Sequence, residues 1–154
     1  MADGIADLAF LSMVYHHIQD KGQAIREIGR VLRHDGALCI RTSTTDCLDS
    51  YLWLRFFPDA QDIERRRMPS REEMADTLQA GGFKLEGHTV VHQFFAANLQ
   101  EYFDKISLRG LSSLKSISDD AFRTGLARLE SYCMEQDVGD AVYEDIDLFV
   151  FRVG

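Results

Sequence analysis

The sequence has little cysteine. Cys39, Cys47 and Cys133 are the three present, an odd number with no C-x-x-C pair, which excludes a disulfide scaffold and points to reduced thiols in a cytoplasmic protein. Positive charge is also in short supply. Seventeen Lys and Arg stand against 25 Asp and Glu, a formal net charge of -8. Nucleic acid and anionic membranes are bound by clustered cations that displace counterions, so neither is expected as a partner. The one basic run, Arg65-Arg66-Arg67, follows Glu64 and is too short to change this. No apolar run reaches bilayer length. No Lys or Arg precedes the first apolar stretch, so a secretory signal is not expected. Internal repeats, low-complexity segments and linkers are absent too.

What is present fits one globular domain over residues 1–154, with 45% hydrophobic and 27% charged residues. A chain of this length can bury a core without covalent staples. Residues 7–12 (Asp-Leu-Ala-Phe-Leu-Ser) are apolar almost throughout, as in a strand buried on both faces of a parallel sheet. Asp20, with Gln23 in capping-box spacing, starts a helix whose apolar face is Ala24, Ile25, Ile28, Val31 and Leu32. Glu27 and Arg30 can pair on its outer side. Asp35-Gly36 ends the helix, with Gly36 as the left-handed residue. A second buried strand, 37–42, completes a right-handed parallel βαβ unit.

Residues 46–68 read as irregular, with a short helix available over 48–57. Ser70 and Glu73 form a capping box, Met74, Ala75 and Leu78 an apolar stripe, and Gly81-Gly82 a stop. Residues 83–95 alternate as a strand. Asn98 with Glu101 starts one helix and Ser118-Asp119-Asp120 another, with acidic residues at the positive end of the dipole. Residues 136–141 form a loop and 146–153 the last strand. The fold class is α/β, with helices inserted before the last strand.

Four stretches in this order carry a family resemblance. Asp7-Leu-Ala-Phe-Leu-Ser-Met-Val-Tyr-His-His-Ile18 resembles the fourth strand and following turn of class I S-adenosylmethionine-dependent methyltransferases of the type 11 group. Glu27-Ile-Gly-Arg-Val-Leu-Arg-His-Asp-Gly36 resembles their helix leading into strand five, with His34-Asp35 in place of the usual Pro-Gly. Met68-Pro-Ser-Arg-Glu-Glu-Met74 and Ala80-Gly-Gly-Phe83 resemble the helix and turn before strand six. The resemblance runs over essentially the whole chain. It implies a partial Rossmann-like sheet, strands four to seven, in which the last strand runs antiparallel between strands five and six.

In the family, strand one carries a G-x-G-x-G loop, followed by an acidic residue for the ribose, and only glycine lets the backbone approach a cofactor so closely. This sequence has no such loop: Asp3-Gly4 is too near the N-terminus and Gly81-Gly82 ends a helix. The resemblance therefore implies S-adenosyl-L-methionine as cofactor, with most of its adenosine site outside this chain, which alone is expected to bind it weakly or not at all.

Ligands of open α/β sheets sit beyond the carboxyl ends of the parallel strands. The resemblance places Ser12, Met13 and His17 against the methionine part of the cofactor, although an ordinary strand-to-helix turn has the same composition. His16 and His17 suit a base or positioning group for a methyl acceptor. They equally suit a turn with one ring inward and one capping, and methyl transfer often needs only alignment and exclusion of water. Thr42 and Ser43 end the second strand and are acceptor-side candidates. So are Trp53, in a cluster with Tyr51, Phe56 and Phe57 that fits a pocket or a core, and Arg67, whose run fits a carboxylate clamp or a solvated loop. Phe103, Phe122 and Tyr132 read as packing. His88 and His92 share a strand face without further ligands at metal spacing, so no metal site is expected.

Three functional readings follow. The chain belongs to an enzyme acting on a small-molecule acceptor and completed by other strands; or it is a non-enzymatic assembly or partner-binding module; or it is a fragment with no independent role. The bare edge expected at residues 7–12 calls for a homodimer or a complex with a chain supplying the missing half.

Overall fold

The computed structural model describes residues 3–136 and 139–154; residues 137 and 138 of the expected loop lie outside the described residues. The elements run β1 (Ala6–Ser12), α1 (Lys21–Val31), β2 (Leu32–Thr42), α2 (Pro58–Arg67), α3 (Arg71–Ala80), β3 (Phe83–Ala96), α4 (Leu99–Ser107), α5 (Ser112–Ser116), α6 (Asp119–Glu135) and β4 (Val142–Val153), with short 3-10 turns at Tyr15–His17, Thr45–Ser50 and Leu52–Phe56. The sheet order is β1-β2-β4-β3. β1 and β2 are parallel and β4 is antiparallel to β2, so the last strand lies where the resemblance puts it. The chain divides into two compact units, one of residues 1–46, 68–91 and 146–154, the other of residues 47–67 and 92–145.

In the first unit the caps read from sequence are all made. Asp20 accepts from the Gln23 amide at 2.7 Å. Ser70 and Glu73 complete their reciprocal box. Glu27 pairs with Arg30 at 2.8 Å. Leu38, Ile40, Phe149 and Phe151 turn one sheet face toward Ile25 of α1 and toward Met74 and Leu78 of α3, forming a closed core. The opposite face is not closed. Leu8 pairs with Ala37 and Phe10 with Cys39, which in turn pairs with Val150. Leu8 is 57% and Phe10 56% exposed. The apolar pattern of residues 7–12, read as burial on both faces, is therefore corrected, while their expected place at the sheet's edge is what the strand order gives; of these residues only Ala9 and Leu11, paired with Leu38 and Ile40, turn inward.

Two further boundaries differ from the sequence reading. β2 begins at Leu32 rather than at residue 37, directly after α1, and the register against β1 shifts between Ala6 and Leu8 to absorb residues 33–36. Within that bulge the left-handed residue is Asp35 (φ 64), not Gly36. Gly36 is needed for room: a Cβ there would stand 2.8 Å from the Arg33 carbonyl oxygen. β4 begins at Val142 rather than 146, because hydrogen bonds satisfy the polar residues at its start.

In the second unit, residues 58–67 form a helix where the sequence read as irregular. Pro58 at its first position costs no hydrogen bond and presets φ, and Asp59 favours the helix N-terminus. Its core joins Leu48, Trp53, Leu54 and Phe57 to Tyr102 and Ile106 of α4, Leu114 of α5 and Phe122 and Leu129 of α6. Phe57 and Phe122 stack at 5.7 Å. Gly125 makes this possible, since a Cβ there would lie 2.4 Å from Phe57 Cδ1.

Candidate functional site

The sheet directs attention to the carboxyl ends of β1 and β2, where parallel strands leave backbone groups and loops to meet a ligand. β1 stops because Met13 turns left-handed (φ 54), a conformation costly for a side chain bearing Cβ and concentrated at functional turns. Its amide donates to the Arg41 carbonyl at 2.8 Å, and Arg41 Nη1 donates to Ser12 Oγ at 3.1 Å. Ser12 is exposed and Met13 half-buried.

The following 3-10 turn buries Tyr15, whose phenol burial pushes above its ordinary value. His16 is half-buried and His17 exposed, their rings 4.1 Å apart. Ser12, Met13, His16 and His17 thus occupy one strand end and its turn. This offers a serine hydroxyl, exposed backbone and an imidazole, a set that suits hydrogen bonding to a polar ligand.

At the end of β2, Thr42, Ser43 and Thr44 are all buried. The reason is a polar cluster that the sequence reading did not assemble. Asp147 of β4, opposite Thr42 in the ladder, is fully buried. Its carboxylate accepts from Thr44 Oγ1 at 2.6 Å and Arg71 Nε at 2.8 Å, and lies 2.6 Å from His88 Nε2. Two backbone contacts add to it: the Thr45 amide reaches the Pro69 carbonyl at 3.0 Å, and the Arg71 amide reaches Asp46 Oδ2 at 2.9 Å. The chain leaving β2 is thereby fastened to the start of α3. A sequence signal existed: an acidic residue inside an apolar strand needs a partner, because a carboxylate buried alone costs several kcal/mol.

The remaining candidates lie in the second unit. Trp53 is 4% exposed, and its amide donates to Tyr102 Oη at 2.8 Å. Tyr51, Trp53 and Phe57 are core, with Phe56 packed against them. Arg67 does not stand open as a clamp: it donates to Glu64 at 2.6 Å and to Ser112 at 2.7 Å. His88 and His92 each have a carboxylate partner, Asp147 and Asp145 respectively. No group of residues that could hold a metal is found among the described residues.

Glu144, buried in β4, lies 3.5 Å from Tyr102 Oη. Burial pushes its carboxyl up to about 7, with the tyrosine hydrogen bond opposing the shift. Neither Asp147 nor Glu144 was singled out from sequence. Among the described residues no helix is long and apolar enough to cross a membrane.

Residues 1–40 match the family of methyltransferase domains. A search of curated proteins found no match. Among solved structures, a protein of Anabaena variabilis assigned as a methyltransferase from an antibiotic biosynthesis pathway aligns over 99% of this chain and 68% of its own, with TM-score 0.71 and 16% identity. A Bacillus halodurans protein assigned as a methyltransferase aligns over 99% and 71%, with TM-score 0.58 and 14% identity. The cyclase SpnF aligns over 100% of this chain and 53% of its own, with TM-score 0.58 and 16% identity. The fold is thus the Rossmann-like one of the methyltransferases, as the resemblance implied. One of the three neighbours is a cyclase, so the fold by itself does not assign the reaction.

Proposed function

We propose that the chain is part of an S-adenosylmethionine-dependent methyltransferase acting on a small-molecule acceptor. The observation that carries this is the turn after β1, where Ser12 and left-handed Met13 end a parallel strand inside the very stretch that matches methyltransferase domains. When bound, S-adenosylmethionine supplies an activated methyl group.

The residues present fit one edge of that molecule only. Ser12 Oγ and the backbone at Met13 suit its methionine part, and His17 is exposed beside them. Among the described residues no glycine-rich turn stands at a strand end: Gly82 (φ 89) closes α3, and Gly4 (φ 58) precedes β1. We therefore assign the adenosine half of the site to strands outside this chain.

The open sheet face supports the same division. Leu8 and Phe10 form an apolar patch on an edge strand without lysine or proline, which favours pairing with further strands. Those come from a second copy of this chain or from a polypeptide carrying the first strands of the fold. Calorimetric titration with S-adenosylmethionine tests the reading. The chain alone is expected to bind weakly or not at all, and the native assembly isolated with it is expected to bind. Micromolar binding by the chain alone overturns the divided site. No binding by the native assembly overturns the methyltransferase reading.

A further inference from the structure

The second unit holds a pocket of about 530 Å³ lined by His92, Leu99, Tyr132, Asp140, Val142 and Tyr143 among others. The His92 ring that lines it is held from behind by Asp145. Asp145 is held through its backbone, its amide donating to Ser50 Oγ at 2.9 Å and its carbonyl accepting from Tyr51 Oη at 3.1 Å. Ser50 itself is tied to the Cys47 carbonyl at 2.7 Å. The carboxylate so placed lies 2.7 Å from His92 Nδ1. The imidazole also lies flat on Tyr143, centroids 4.6 Å apart and planes 8° apart, and Phe94 braces Tyr143 edge-on at 5.9 Å.

With the proton on Nδ1, the imidazole donates to the Asp145 carboxylate, and that tautomer leaves the lone pair on Nε2 as an acceptor of fixed direction. Among the described residues Nε2 has no protein partner. The surroundings narrow what it accepts from. Tyr132 and Tyr143 offer ring faces or edges, Leu99 and Val142 are apolar, and the Asp140 carboxylate repels anions.

We propose that this pocket binds a small uncharged phenol, its ring against the aromatic wall and its hydroxyl donating to His92 Nε2. The site is independent of methyl transfer and stands whether or not that reading holds. Titration of the full chain with p-cresol, followed by the NMR signals of the His92 and Tyr143 rings, tests it. Toluene serves as the control that keeps the ring and loses the donor, and benzoate as the control that adds charge. Saturable shifts with p-cresol are expected, with affinity about tenfold above toluene, the worth of one hydrogen bond, and no saturation with benzoate. His92→Phe keeps the stack on Tyr143 and removes the acceptor, so the p-cresol preference over toluene is expected to vanish. Absence of shifts at these two rings, equal binding of toluene, or a tenfold preference surviving in His92→Phe each overturns the proposal. The wild-type comparison of p-cresol with toluene decides it even if the variant does not fold.

Discussion

Arg71 Nε and Asp147 Oδ1 meet at 2.8 Å across 76 residues of sequence, the carboxylate wholly buried and the guanidinium one-third exposed. With Thr44 and His88 on the same carboxylate, the pair fixes how β2, α3 and β4 come together. Removing one member of a buried pair strands the other. Asp147→Asn is therefore expected to destabilise by about 3 kcal/mol, less than a wholly buried pair because water reaches Arg71. Thr44→Val, which deletes one donor, is expected to cost about 1 kcal/mol. Urea denaturation of both variants measures this, and equal midpoints would show the cluster to be dispensable.

Glu144 gives stability a pH dependence of definite sign. Its folded value of about 7 lies above the ordinary 4.5 because burial disfavours the carboxylate, so the folded chain binds the proton more tightly than the unfolded one. The stabilisation is complete below the unfolded value, declines as pH rises through about 7, and is lost above that. Glu144→Gln keeps the neutral shape. It is expected to be more stable than the parent near pH 8, by up to about 3 kcal/mol, with the advantage disappearing near pH 4. Thermal melts of both proteins across this range provide the check.

Two glycines are required for space rather than for backbone freedom. A Cβ at Gly125 would meet Phe57 Cδ1 at 2.4 Å and the Phe56 carbonyl oxygen at 2.7 Å, and one at Gly36 would meet the Arg33 carbonyl oxygen at 2.8 Å. Gly125→Ala must push α6 away from Phe57 and is expected to cost about 2 kcal/mol or more. Gly36→Val is expected to destabilise too, by about 1 kcal/mol or more, through crowding and not through a left-handed φ. Equal melting temperatures for either variant and its parent would refute the crowding.

With Leu8 and Phe10 bare on the edge strand, light scattering of the purified chain is expected to give a dimer or larger species. Phe10→Lys places a charge in the patch and is expected to shift the population toward monomer without lowering helix content. A well-folded monomer for the parent chain at high concentration would show that the patch tolerates water.

Local chemistry determined much of this protein. Asp20, Ser70, Asn98 and Ser118 each cap the helix their spacing indicates, because a cap is satisfied within three residues and needs no tertiary partner. The parallel βαβ unit and the family resemblance were legible for the same reason: both reside in contiguous patterns. α2 was missed because it has a weak apolar stripe, and only Pro58 marked its start.

Tertiary structure alone decided the rest. Whether an apolar strand is a buried centre or a bare edge depends on what lies beside it, which periodicity does not record: the pattern of β1 alone indicates burial, and only the resemblance pointed to an edge. Trp53 and Arg67 carry residue types fit for a pocket or for packing, and their contacts, with Tyr102 and Ser112, are remote in sequence. Asp147 and His92 each meet their partners across 53 or more residues of sequence. A carboxylate's chemistry is set by the charges and donors around it, and those are assembled only when the chain folds.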